Sequence, residues 1–215
     1  MHRDRRNPTA EEIELNARGA MIAPDPPARL PQLKPHECTD EVRAFLSQWT
    51  GGIFRNAQVN PTLLTFAHHP QLASVFSQFN IHLLSSSTLP VKQRQIAIMR
   101  TAWICKATYM WSSHLRTSIR CGLEPDMFKP LQVGADDPYF APFERTIIRA
   151  TEELVSDKRV GDASWQALCA QWNSQQMLDF LFTVGGYVTV AGVMRSTGVE
   201  REPELLELAA RYGAP

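Results

Sequence analysis

The sequence has few cysteines and no pair of them in close spacing. Its 215 residues contain four, scattered along the chain: Cys38, Cys105, Cys121 and Cys169. A chain of this length buries a core without disulfide staples, and no C-x-x-C motif is present. We therefore expect reduced thiols and a cytoplasmic protein.

An excess of charge of one sign is also missing. The 22 lysines and arginines balance 22 acidic residues, which gives no electrostatic reason to expect nucleic acid or an anionic membrane as a partner. The longest apolar stretch, residues 177–194, contains Asp179 and Gly185 and favours a buried helix over a membrane span. The charged N-terminus lacks a following apolar segment, so no secretory signal is expected.

Strand signals are absent as well, because no alternating apolar pattern or Asn-Gly hairpin turn stands out. The apolar residues instead recur at helical spacing. We predict an all-α fold of about eight to ten helices, with boundaries near 39–50, 61–69, 71–84, 90–106, 108–121, 142–156, 163–172, 174–196 and 202–212. The predicted organisation is a proline-rich N-terminal arm over residues 1–39 and a helical domain over residues 40–215.

The arm is extended in this prediction because proline lacks an N–H and restricts its predecessor. It has no apolar face of its own, so it either wraps its own domain or lies across a neighbouring subunit. The prolines of the arm are Pro8, Pro24, Pro26, Pro27, Pro31 and Pro35.

Residues 89–123 carry the most informative pattern. A Leu-Pro pair opens an apolar helix with an arginine, and an aromatic-x-tryptophan run with a histidine opens the next helix, which ends in Gly-Leu. The residues of this pattern are Leu89, Pro90, Arg94, Trp103, Tyr109, Trp111, His114, Gly122 and Leu123. In order and spacing they resemble the carboxymuconolactone decarboxylase / alkylhydroperoxidase D-like superfamily, and similar flanking motifs extend the resemblance over about residues 40–200. The resemblance implies a multi-helix bundle that forms a homo-oligomer: a dimer, a trimer or a hexamer.

The redox residues of that family are not retained. In its peroxidase branch, two cysteines three apart precede the histidine and an acid lies upstream; here these positions correspond to Ala107, Met110 and Gln95. A thiol peroxidase needs an attacking thiolate and a resolving thiol, and an amide cannot act as a base near neutral pH. Gln95 can still form hydrogen bonds to a substrate oxygen. Only His114 remains from the reactive set.

The resemblance therefore implies a cysteine-independent lyase of the carboxymuconolactone decarboxylase type. Its substrate would be a small cyclic or aromatic-derived carboxylated or carbonyl compound, with His114 as the acid/base. The remaining candidate site residues are Arg94, Gln95, Cys105, Tyr109, Met110 and Trp111. No organic cofactor is implied, and no metal is expected, since the adjacent His68 and His69 cannot face one site on a helix.

Each candidate also has a structural interpretation. His114 could pack under the preceding helix, and Tyr109 and Trp111 could be ordinary packing. For Arg94 we favour an ion pair with Glu144 or Glu152, and for Cys105 a place in the core. Two further functions stay open: a peroxidase that uses Cys105, and a non-catalytic oligomer that binds a small ligand.

Overall fold

A computed structural model describes residues 27–50 and 61–212, without the side chains of residues 49 and 50. These ranges form ten α-helices and no strand, which confirms the all-α prediction. The helices are α1 (Asp40–Thr50), α2 (Pro61–Phe66), α3 (Pro70–Ile81), α4 (Val91–Ile104), α5 (Thr108–Arg120), α6 (Phe128–Val133), α7 (Pro142–Asp157), α8 (Asp162–Cys169), α9 (Ser174–Thr197) and α10 (Pro203–Arg211). Short 3₁₀ turns lie at Pro35–Glu37 and Pro125–Met127, and a π-helical turn lies at His82–Ser86.

Local signals explain where the helices begin. Proline occupies the first helical position of α2, α3, α7 and α10, where its missing N–H costs no hydrogen bond. The side chain of Asn173 caps α9 by accepting a 3.0 Å hydrogen bond from the backbone N–H of Gln176.

Left-handed residues explain where two helices end. Gly122 follows α5 with φ 79° and Gly198 follows α9 with φ 70°, a conformation that glycine adopts without strain. Lys106, with φ 55°, separates α4 from α5. The predicted break at residues 106–108 is therefore confirmed, although Ala107 and not Thr108 holds the N-cap position.

Helix α4 lies at the centre of the core. It packs on α5, α6, α7 and α9, so its side chains are enclosed on nearly every face. Ile96, Ile98 and Met99 are fully buried, and each contributes about 2 kcal/mol of hydrophobic stabilisation. Because α4 is enclosed, its polar residues Arg94 and Gln95 are also inside the protein.

Helix α9 is long and apolar enough to cross a membrane, but 56% of its most apolar window is buried within the protein. Phe180, Val184 and Tyr187 on this helix face the core, whereas Leu178 and Phe182 are exposed. Asp179 is buried near its start and accepts hydrogen bonds from the backbone N–H of Thr88 at 2.6 Å and from its hydroxyl at 2.7 Å. Helix α9 is thus packed into the core and is tied by Asp179 to the loop that precedes α4.

Residues 27–39 of the arm lie on their own domain. The backbone N–H groups of Arg29 and Leu30 donate to the carbonyl of Thr197 at the end of α9. The ring of His68 donates to the carbonyl of Pro31 at 2.7 Å. The described part of the arm therefore lies against its own domain, which is one of the two predicted arrangements. Residues 1–26 lie outside the described residues.

Candidate functional site

The break at Lys106 reverses the chain, so that α5 packs back on α4. This brings Gln95 of α4 against His114 of α5. The Nδ1–H of His114 donates to Oε1 of Gln95 at 3.0 Å, and the hydroxyl of Ser118, one turn later, lies 3.3 Å from the same oxygen. Gln95 is 1% exposed, so this oxygen serves as the common acceptor of a buried polar group.

Tyr187 brings a third helix, α9, into contact with His114. The two ring centroids are 5.1 Å apart and the rings meet edge to face at 81°, a favoured geometry for aromatic pairs. Burial raises the pKa of the Tyr187 hydroxyl well above its usual range, and the positive charge of Arg94 opposes that rise. Tyr187 is therefore a neutral phenol at physiological pH.

The imidazole of His114 is neutral for a similar reason. Burial, with a smaller contribution from the positive charge of Arg94, lowers the pKa of His114 to about 3. With the proton on Nδ1 held by Gln95, the lone pair of the neutral ring is on Nε2. Among the residues that the structure describes, no group forms a hydrogen bond to Nε2. The ring is thus fixed on one side and chemically free on the other.

Arg94 lies beside this group and has no acidic partner in the described ranges. The carboxylate of Glu144 pairs with Lys92 at 2.6 Å, and that of Glu152 pairs with Arg100 at 2.8 Å. The ion pair that we favoured for Arg94 is therefore absent, because other cations occupy both carboxylates. The Nε of Arg94 is completely buried without a hydrogen-bond partner in the described part of the chain.

Comparison with solved structures gives the fold. A peroxidase-related protein from Ralstonia eutropha JMP134, described as an alkylhydroperoxidase AhpD core, superposes with a TM-score of 0.70 at 16% identity, covering 84% of this chain and 95% of that one. A peroxidase-related protein from Silicibacter sp. TM1040 gives 0.69 at 16% identity over 85% and 95%. A cysteine-to-alanine variant of the debrominase Bmp8, in complex with 2,3,4-tribromopyrrole, gives 0.69 at 11% identity over 87% and 99%.

The chain has the AhpD-like fold. These structures confirm the family resemblance at the level of the fold, and identities this low establish no more than that. No family model matches the sequence, and no curated protein does.

The positions that correspond to the redox cysteines lie at the start of α5 in this AhpD-like fold. Ala107 is the N-cap residue and Met110 follows in the first turn, and both are buried. Met110 is one helical turn before His114, on the same helix face. Where the resemblance implies two thiols, this face therefore presents a methyl group and an unreactive thioether.

Tyr109 and Trp111 point to other parts of the fold. The hydroxyl of Tyr109 lies 3.5 Å from a carboxylate oxygen of Glu202, just before α10. The ring of Trp111 packs on Trp103, with centroids 5.1 Å apart. Both contacts are with neighbours other than His114, so these aromatics stabilise the packing of α5 against α4 and α10.

Cys105 is partly buried at the end of α4. Burial raises the pKa of its thiol, although the positive charges of Arg195 and Lys158 oppose the rise. Arg195 is in the last turn of α9, about 12 Å along the helix from Tyr187. Cys105 therefore lies nearer the C-terminal end of α9 than Tyr187 does. A thiol with a raised pKa holds little of the reactive thiolate, which disfavours the peroxidase alternative.

The sequence interpretation missed two features of the site. The first is Tyr187, which follows Gly185 and Gly186; nothing in the sequence indicated that its ring meets His114. The second feature is an apolar groove of about 790 Å³ between α3 and α9, which none of the predicted site residues lines. Within residues 27–50 and 61–212, no three histidine, cysteine or acidic side chains come together as a metal site.

Proposed function

We propose that this protein is a cysteine-independent acid–base enzyme of the lyase class, which acts on a small cyclic or aromatic-derived carboxylated or carbonyl compound. One observation carries the proposal: the neutral, buried imidazole of His114 is held at Nδ1 by Gln95 and has a free Nε2. A histidine with only a packing role has no need of a fixed tautomer with one open nitrogen.

Gln95 takes a positioning role in this proposal. Its Oε1 accepts the Nδ1 proton and so fixes both the ring orientation and the tautomer of His114. Because glutamine is uncharged, it does not raise the basicity of the ring as a carboxylate would. The substitution of an amide for the acid of the peroxidase branch thus keeps the geometry and removes the charge.

The reaction that fits is decarboxylation of a β-keto acid, in which the carboxyl group is on the carbon next to the carbonyl. The bond between that carbon and the carboxyl group breaks, its electron pair is delocalised onto the carbonyl oxygen as an enolate, and CO₂ leaves. A proton that His114 takes from solvent at Nε2 is then delivered to the carbon, where it forms a new C–H bond in place of the broken C–C bond. Buried hydrogen-bond donors stabilise the developing enolate charge.

The debrominase with this fold supports the substrate class. Its complex contains 2,3,4-tribromopyrrole, which is a small substituted ring. In this proposal a ring of similar size would bind at the open Nε2 of His114, beside the ring of Tyr187. The non-catalytic binder remains the second candidate, because the unpartnered Arg94 and Nε2 also suit a ligand that is bound and released unchanged.

The test is turnover of a panel of small cyclic β-keto and lactone carboxylates, measured by CO₂ release, with wild type and His114→Asn. Asparagine retains a donor for Gln95 and lacks the imidazole. We expect loss of turnover with an unchanged circular dichroism spectrum. Unchanged turnover in the variant would remove His114 from the mechanism, and binding without turnover in wild type would favour the non-catalytic function.

The location and assembly of the protein stay proposals. All four cysteines are free thiols, which supports a reducing compartment such as the cytoplasm. The exposed apolar face of α3 and α9 supports a homo-oligomer.

A further inference from the structure

The guanidinium of Arg94 has a position that the core alone does not explain. The residue is 7% exposed, and a buried cation without a counter-charge is costly. Natural cores retain such a charge where it binds something. Glu144 and Glu152 are already paired with Lys92 and Arg100, and no acidic side chain among the described residues forms an ion pair with Arg94.

Arg94 lies in the same part of the core as the candidate site. Its charge acts on both His114 and Tyr187, and the contact between these two rings joins α5 to α9. Arg94 is also the chain neighbour of Gln95, which holds His114. An anion bound at Arg94 would therefore lie against the same imidazole that the proposed reaction uses.

We propose that Arg94 forms a carboxylate-binding subsite, so that the ligand of this protein is a small organic anion whose carboxylate pairs with the guanidinium while its ring or chain meets His114 and Tyr187. This inference deepens the proposed function and rests on it for the role of the bound anion. A planar guanidinium suits a carboxylate because two N–H groups can donate to the two oxygens at once.

Anion binding also changes the basicity of His114. The groups that set the charge around the ring are Arg94 on α4 and the neutral phenol of Tyr187 on α9. A carboxylate at Arg94 cancels the positive charge that disfavours protonation, so it raises the pKa of His114. Burial still opposes protonation, so the bound anion makes the imidazole a stronger base than it is without the anion.

The experiment uses benzoate as the anionic probe and benzamide as its neutral isostere, with the full-length chain. Binding is measured by calorimetry, and the protonation of His114 is followed by the NMR shifts of its ring nitrogens. We expect saturable benzoate binding, at least tenfold weaker benzamide binding, and a higher His114 pKa in the benzoate complex. Equal affinity for the two probes, or no saturable benzoate binding, would overturn the subsite.

Substitutions locate the site. Arg94→Met is expected to weaken benzoate binding at least tenfold, while its melting temperature without ligand is equal to or above that of wild type, because an unpaired buried charge has been removed. The matched control is Arg149→Met, since Arg149 pairs with Asp136 at the surface and its loss should leave benzoate binding unchanged. Benzoate binding by Arg94→Met at wild-type strength would contradict the proposal.

The His114→Asn variant separates the two proposals. If it binds benzoate and lacks turnover, both the subsite and the function are supported. If it binds benzoate and turns substrate over at the wild-type rate, the subsite stands and the acid–base role of His114 falls. If wild type turns substrate over but benzoate neither binds nor inhibits, the function stands and the subsite falls.

Discussion

Nδ1 of His114 and Oε1 of Gln95 are 3.0 Å apart, and this hydrogen bond joins helices α4 and α5 inside the core. It orients the imidazole and leaves Nε2 open, while burial keeps the ring neutral. The first two predictions concern the protonation of His114 and the charges that act on it.

The stability of the protein should depend on the protonation of His114. Its pKa is about 3 in the folded chain against 6.5 when unperturbed, so the unfolded state binds the proton more strongly. Stability is then fully present above about pH 6.5 and decreases as the pH falls towards 3, by about 1 kcal/mol per pH unit from this residue. Urea unfolding at pH 4, 5, 6 and 7 measures this slope.

The control for that slope is His114→Asn, which removes the titrating group. We expect the difference in unfolding free energy between wild type and variant to grow as the pH rises from 4 to 6, and to level off near pH 7. Parallel pH profiles for the two proteins would show that His114 is not held neutral by the fold.

A carboxylate at position 95 should reverse the electrostatics of the site. In Gln95→Glu, a negative charge replaces the amide oxygen that accepts from His114 and also lies near Arg94. The pKa of His114 should rise by about one unit or more, as measured by NMR titration. Gln95→Met is the matched variant: it removes the acceptor without adding charge, so it should leave the pKa low while costing about 1–3 kcal/mol of stability for an unsatisfied buried donor.

The helix boundaries followed from local chemistry, whereas the state of Arg94 did not. Prolines at helix starts, the Asn173 cap and the glycines after α5 and α9 act within a few residues, so the sequence displays them directly. Whether Glu144 pairs with Arg94 or with Lys92 depends on how α7 docks on α4, which no local pattern contains. The contact between His114 and Tyr187 is hidden for the same reason, because its partners are 73 residues apart.

The π-helical turn at His82–Ser86 is a second feature that local patterns hid. The sequence showed only a polar break at residues 85–88. In the structure, the ring of His82 donates to Asp179 at 3.1 Å, and Thr88 donates to the same carboxylate. This tertiary anchor, 91 residues away from Thr88, accounts for how the end of α3 is held.

The two adjacent glycines of α9 should respond in opposite ways to alanine. A Cβ on Gly186 would lie 2.8 Å from the ring of Phe79 and 3.2 Å from Leu83, whereas a Cβ on Gly185 would meet nothing within 4 Å. Gly186→Ala should lose about 1–3 kcal/mol through overpacking. Gly185→Ala should gain up to about 1 kcal/mol, because alanine is the better helix former. Denaturant unfolding of both variants measures the contrast, and equal effects would contradict the close approach of α3 to Gly186.

The four thiols should differ in reactivity. Cys121 and Cys169 are exposed, Cys38 is buried, and Cys105 is partly buried with a raised pKa. We expect iodoacetamide at pH 7.5 to modify Cys121 and Cys169 first, and hydrogen peroxide to oxidise Cys105 no faster than either, as followed by mass spectrometry of peptides. Selective and rapid sulfenic acid formation at Cys105, lost in Cys105→Ser, would instead support the peroxidase alternative.

The face formed by α3 and α9 should mediate self-association. Leu72, Val75, Leu178 and Phe182 line its groove and are 61%, 69%, 55% and 56% exposed. Contiguous apolar surface of this kind is uncommon on monomers, and a stable homodimer buries about 800 Å² on each partner. Val75→Glu should therefore shift the protein towards monomer in sedimentation velocity. The matched control is Val133→Glu, at a valine with similar exposure of 65% outside the groove, which should keep the wild-type assembly. A wild-type protein that is already monomeric at micromolar concentration would exclude this face as a homo-oligomer interface, as would an assembly that Val75→Glu leaves unchanged.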